Sequence, residues 1–160
     1  MIAESENSTI SISLDVVDLE ILRLLKHNAK LGTKEISSSI GLSITATYER
    51  IRRLEKKQVI TCYMTMVDKR KMGIQLSVLC NVQLKSHATQ FLNEFEDAVV
   101  MLPEVINIYH IAGNYDYLLM IEIKDMNSYA EFMKTKLSAI PHISTVQSSF
   151  IMRQIKNEYE

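Results

Sequence analysis

Residues 44–57 carry Arg50, Arg52, Arg53, Lys56 and Lys57 in a stretch without glycine or proline. At about 100° per residue, Ile44, Thr47, Tyr48, Ile51 and Leu54 fall on one stripe of a helix, and the cations with Glu49 fall on the other. Guanidinium and ammonium groups on one helix face suit a polyanion, because they neutralise phosphates and release their counterions. Thr45 and Ala46 are short enough to let the start of the helix approach a groove, and recognition helices meet base edges through their N-terminal residues. The pattern points to Ser43, Thr45, Ala46 and Thr47 near a groove, with Arg50, Arg53 and Lys57 on phosphates or guanines. Thr33 and Lys34 begin a preceding helix, where main-chain N–H groups can hold phosphate. An ordinary solvated helix surface is the plainer reading of the same charges.

A second constellation is Gly113-Asn114-Tyr115-Asp116, between two apolar runs. Gly-Asn alone is enough for a tight hairpin, but a carboxylate immediately before an apolar strand needs a partner. Thr145, Gln147 and Ser148, on the last strand, could add polar groups to this turn. Other chemistry is not indicated. His27, His87, His110 and His142 are scattered, there is no Ser/His/Asp or Cys/His arrangement, and no G-x-x-x-x-G-K phosphate loop occurs. Cys62 and Cys80 lack the spacing of a metal site and read as small reduced hydrophobes. The expectation is no metal, no cofactor and no enzymatic activity.

The elements that would position these residues follow from periodicity. Asp15 is placed to cap a helix reaching about residue 27, with Asp18 completing a carboxylate version of the capping box. Thr33 is placed to cap a short second helix that Gly41 stops, and Ser43 to cap the third. Helix, glycine turn and longer helix make a helix-turn-helix. Residues 59–60 and 63–67 read as short strands of a wing. Beyond 76, strands at 77–84, 105–112, 117–123 and 143–155 alternate with helices at 88–102 and 128–140, bounded by Pro103 and Pro141. This βαββαβ order is ferredoxin-like. Its helices would cover one sheet face, and apolar residues on the other suggest a second subunit.

Charge divides along the same line. Residues 15–73 hold 12 Lys and Arg against 7 Asp and Glu, and residues 74–160 hold 6 against 10, so a basic half precedes an acidic one. The 47% hydrophobic and 23% charged fractions are those of a globular protein. No run nears the roughly 18 apolar residues of a membrane span and no signal peptide is evident, which points to the cytoplasm.

L-D-x-x-D-x-x-I-L-x-x-L at 14–25, E-I-x-x-x-I-G-L-S at 35–43 and Y-E-R-I-R-R-L-E-K-K-x-V-I at 48–60 resemble the Lrp/AsnC, or feast/famine, family of transcription regulators. I-A-G-N-Y-D-Y-L-L at 111–119 is similar to the glycine–acidic–aromatic–Asp–Tyr turn of that family. The resemblance covers roughly residues 14–155. It implies an α+β chain with a winged helix-turn-helix at 14–67, a linker at 68–76 and a βαββαβ effector-binding and oligomerisation domain at 77–160, after a polar arm at 1–13. It further implies double-stranded DNA as partner, an amino acid as effector, and homodimers assembling into tetramers or octamers. Gly113, Asn114, Tyr115, Asp116, Thr145, Gln147 and Ser148 would be the effector residues.

Two positions depart from the family pattern. Gln58 stands where glycine is usual after the third helix, so that helix is expected to end differently. Asn114 stands where an acidic residue is common, which leaves a regulator or architectural DNA-binding protein without effector response as an alternative. A small-molecule-sensing subunit that does not bind DNA is a second one.

Overall fold

The computed structural model describes residues 13–156, so the polar arm proposed for 1–13 lies almost wholly outside the described residues. The chain divides into two compact units at Met66/Val67 and again at Ile155/Lys156. Residues 68–76, expected as a linker, fall in the second unit.

In the first unit, α1 spans Val16–His27, α2 Thr33–Ile40 and α3 Ile44–Lys56. Asp15 caps α1 as expected: its side chain accepts from Asp18 N at 2.8 Å, and Asp15 N donates back to Asp18 Oδ2 at 3.3 Å. Thr33 does not cap α2. Gly32 occupies that place with extended backbone, and the Glu35 carboxylate accepts its N–H at 2.7 Å, which leaves Thr33 as the first helical residue. Gly41 ends α2 in the left-handed region at φ 70, where a side chain would be strained. Ile21, Leu25, Ile36 and Leu54 make the buried centre, with Leu22, Ile40 and Ile51 packed around it.

Two expectations for this unit need correction. No strand forms over 59–60 or 63–67. Tyr63, Met64, Met66 and Val67 are all at least half exposed, and a strand needs a ladder partner to satisfy its N–H and C=O groups. Also, α3 does not end differently at Gln58. This residue takes φ 56, in the left-handed region that the usual glycine would occupy, and Val59 N closes the end of the helix onto Leu54 O at 2.9 Å.

The second unit runs β1 (Leu76–Leu84), α4 (Thr89–Val100), β2 (Val105–His110), β3 (Tyr117–Ile123), α5 (Met126–Thr135), a 3-10 turn (Leu137–Ala139) and β4 (Ile143–Phe150). The sheet order is β2-β3-β1-β4 with every pairing antiparallel, which is the expected ferredoxin-like arrangement. Differences from the expected bounds are local. β2 stops at His110 and β4 at Phe150. α5 starts earlier than expected because Asp125, rather than a residue nearer 128, supplies the cap by accepting Ser128 N at 2.8 Å.

Alternation decides the faces. Val78, Cys80, Val82 and Leu84 of β1, with Tyr117, Leu119, Ile121 and Ile123 of β3, are buried against Phe95 and Val99 of α4 and Tyr129 and Phe132 of α5. The opposite face carries Leu79, Leu118 and Met120, all half-buried, with exposed Tyr109 at the β2 edge.

Candidate nucleic-acid interface and effector turn

Ser43 caps α3, its Oγ accepting Ala46 N at 3.2 Å. Thr45 and Ala46 lie exposed in the first turn, where close approach to a groove needs them. Thr47 does not join them. It is wholly buried, and its hydroxyl donates to Ser43 O at 3.0 Å, so its place in the groove set is withdrawn. The bond to the preceding turn gives the hydroxyl a partner, which is what lets this polar side chain be buried. Conversely Ile44 and Tyr48, expected on the buried stripe, are about half exposed.

Asp18 carries a feature that the helical pattern did not reveal. It is fully buried in α1, and each carboxylate oxygen meets one arginine of α3. Arg50 Nη1 donates to Oδ1 at 2.8 Å, and Arg53 Nη2 to Oδ2 at 2.5 Å. Arg50 Nη1 also donates to Asp15 Oδ2 at 2.7 Å. The Asp18 N–H bond, and after it Arg50, holds the Asp15 carboxyl below the usual carboxylate range. Hydrogen bonds first to Asp15 and then to Asp18 push the Arg50 guanidinium up. Arg50 and Arg53, expected on phosphates or guanines, thus each commit a nitrogen to tying α3 onto α1. One signal in the sequence could have found this. Two acids and two arginines share the same i,i+3 spacing, so one pair of helix faces can present all four groups to each other.

Arg52, Lys56 and Lys57 remain exposed on α3. Lys34 is exposed in the first turn of α2, beside half-buried Thr33. With Ser43, Thr45 and Ala46 they form the polar and cationic surface of this unit.

In the second unit, Gly113 and Asn114 are exposed at the tip of the β2–β3 connection, which Ile111 N closes onto Asp116 O at 2.8 Å. The partner demanded for Asp116 is present twice. Its Oδ2 accepts Leu84 N at 2.7 Å, and His87 Nε2 lies 2.8 Å from Oδ1. Tyr115 reaches β4, its hydroxyl donating to Gln147 Oε1 at 2.5 Å. Thr145 is exposed two positions before Gln147 and by alternation shares its sheet face. Ser148 does not belong with them. Its Oγ sits 2.5 Å from the Tyr129 hydroxyl and 3.9 Å from the buried Cys80 Sγ, on the helix-covered face, where burial pushes the Cys80 thiol up. Among the described residues no group of His, Cys, Asp and Glu could hold a metal ion.

Comparison with known proteins assigns both units. Residues 14–55 match the model of the AsnC-type helix-turn-helix domain, and residues 77–160 that of the Lrp/AsnC ligand binding domain. The chain is 32% identical to the Bkd operon transcriptional regulator of Pseudomonas aeruginosa, over 89% of its own length and 93% of that protein. It is 34% identical to the glutamate uptake regulatory protein of Zymomonas mobilis, over 90% and 87%. Among solved structures, a transcriptional regulator of Neisseria meningitidis in complex with L-Met superposes with a TM-score of 0.87 at 28% identity, covering 91% of this chain and 94% of that one. An AsnC family regulator of Agrobacterium tumefaciens gives 0.86 at 32% identity, covering 92% and 95%. Two domain models in the right order, over a three-helix unit and a four-stranded antiparallel sheet, place this chain in the Lrp/AsnC family of transcription regulators.

Proposed function

We propose that this chain is a sequence-specific DNA-binding transcription regulator whose DNA binding or assembly responds to an amino acid, and that it is not an enzyme. The observation that carries the reading is the pairing of an exposed cationic helix, capped by Ser43, with a separate βαββαβ unit bearing a polar turn. Residues 14–67 would bind duplex DNA and residues 77–160 would bind the effector and assemble the protein. Thr33, Lys34, Ser43, Thr45, Ala46 and Lys57 are the DNA contacts retained from the sequence.

For the effector, the relatives named for glutamate uptake and solved with L-Met support an amino acid. Main-chain groups at Gly113 and Asn114 with the Asn114 amide would read its ammonium and carboxylate, and Tyr115, Thr145 and Gln147 would border it. The Asp116 carboxylate braces this turn through Leu84 N–H and His87, and each oxygen keeps a second lone pair with which it could accept from the ammonium group of the effector. The open sheet face with Leu79, Leu118, Met120 and Tyr109 would pair with a second copy, giving dimers able to assemble into tetramers or octamers in the cytoplasm. Ligand binding shifts assembly only where the two assemblies bind it with different affinity.

Native mass measured with and without each of the twenty amino acids, alongside calorimetry, tests sensing and assembly together. A change of mass or of DNA affinity with at least one amino acid is expected. No heat and no change for any would leave an effector-independent regulator, the reading that neutral Asn114 favours.

A further inference from the structure

Burial within the first unit fixes how α3 is rotated. Thr47 and Leu54, the residues of α3 that are wholly buried, lie seven apart on one line of the helix. Taking Ile44 as 0°, that line is at about 290°, so the direction away from the core is at about 110°. Thr45, Glu49, Arg52 and Lys56 lie within about 30° of that outward direction. Arg50 and Arg53 are displaced from it by about 130° and 70°, toward the flank where α1 supplies Asp18.

Arg52 is also held in place. Its guanidinium carbon lies 5.9 Å from the centroid of the Tyr48 ring, one turn nearer the N-terminus of the helix. Tyr48 is half exposed, so the ring serves as a shelf at the surface rather than as core. A long side chain on a helix leans toward the N-terminus, and here the aromatic face fixes that lean. The charge is carried toward the end through which recognition helices meet DNA.

We propose that Arg52, shelved on Tyr48, makes the principal arginine contact of α3 with duplex DNA, whereas Arg50 and Arg53 are positioning residues that set the helix through Asp18. The inference rests on the DNA-binding reading above and departs from the wheel-based assignment of Arg50 and Arg53. The acceptors are phosphate or guanine oxygens, which the same guanidinium fits. Glu49 on the same outward face repels phosphates, which limits how the helix can lie and makes the position of Arg52 matter.

The test is a fluorescence-anisotropy titration of the full chain between about 50 and 200 mM salt. One probe is a duplex selected by the wild-type protein from a randomised pool, and the other is poly(dA-dT), which offers phosphates but no guanine-like O6 and N7 pair. Arg52→Ala is expected to make the dependence of log K on log salt shallower by about one per engaged subunit, without moving the thermal unfolding temperature. Loss on both probes marks a phosphate contact, and loss confined to the selected duplex marks a guanine contact; either supports the proposal. Tyr48→Leu should weaken binding about two- to fivefold with the slope kept, and Tyr48→Phe should restore it. Arg50→Ala should lower thermal stability while the folded protein keeps its slope, and Arg53→Gln makes the same comparison if Arg50→Ala does not fold.

The proposal is overturned if Arg52→Ala changes neither slope nor affinity, or if Arg53→Gln alone removes the salt dependence in a stably folded protein. A wild-type chain that binds neither probe would overturn the DNA-binding reading itself, and this inference with it.

Discussion

Gln58→Gly should stabilise the N-terminal unit, although it removes a side chain and adds no contact. Gln58 sits at φ 56, where a residue with a Cβ pays roughly 1–2 kcal/mol relative to glycine. Against that gain stands the greater freedom of glycine in the unfolded chain, roughly 0.4–1 kcal/mol. A further small loss is the exposed bond from Gln58 Nε2 to Glu55 O at 3.3 Å. The main-chain bonds that close the helix, Gln58 N to Glu55 O and Val59 N to Leu54 O, both at 2.9 Å, do not depend on the side chain. The net gain is therefore about 0.5–1 kcal/mol, which for a unit of this size raises the unfolding midpoint by roughly 3–6 °C. Native-state hydrogen exchange at the amides of Ile21, Ile36 and Leu54 reports this unit separately from the sheet unit. Gln58→Ala is the control, because it keeps the strain and loses the side-chain bond, so it should give no gain. Unchanged or lower protection in Gln58→Gly, or an equal gain in Gln58→Ala, would refute the strain argument.

Two further outcomes follow from the acid pair of α1. Asp18→Asn should cost about 2–3 kcal/mol, toward the lower end for a broken buried pair because Arg50 and Arg53 keep partial access to water; a urea midpoint within error of wild type would contradict it. For Asp15, the folded carboxyl is held below its ordinary value of 3.8, so the stability it lends is present above that pH and is lost as pH falls through the lower folded value. Asp15→Asn should remove this part of the acid sensitivity below about pH 4, and an acid-unfolding curve with unchanged slope there would count against it.

Both folds were legible because their signals are local. Gly41 and Ser43 mark the turn of the helix-turn-helix, and apolar alternation with Pro103 and Pro141 marks the βαββαβ order. The rotation of α3 was less so, because hydrophobicity and burial diverge along this helix. Ile44 and Tyr48 are apolar yet exposed, whereas Thr47 is polar yet buried through a bond to its own helix. The wing failed for a related reason: strand propensity at 63–67 is a property of the segment, but strand formation requires an opposing chain. In the effector turn, the need of Asp116 for a partner was readable, but its identity was not, since Leu84 N–H and His87 come from a segment about thirty residues away. Ser148 was misplaced by an alternation of one residue, which at period two is the whole difference between faces.

The ties of Asp116 give the turn a mechanical character. Its carboxylate grips the last residue of β1 through Leu84 N–H, and through His87 it grips the segment leading into α4. Its main chain is bonded to Val82 O and to Ile111 N. One carboxylate thus fastens the hairpin to the end of a central strand and to the segment before a helix, so displacing Asp116 would break its bonds to both at once.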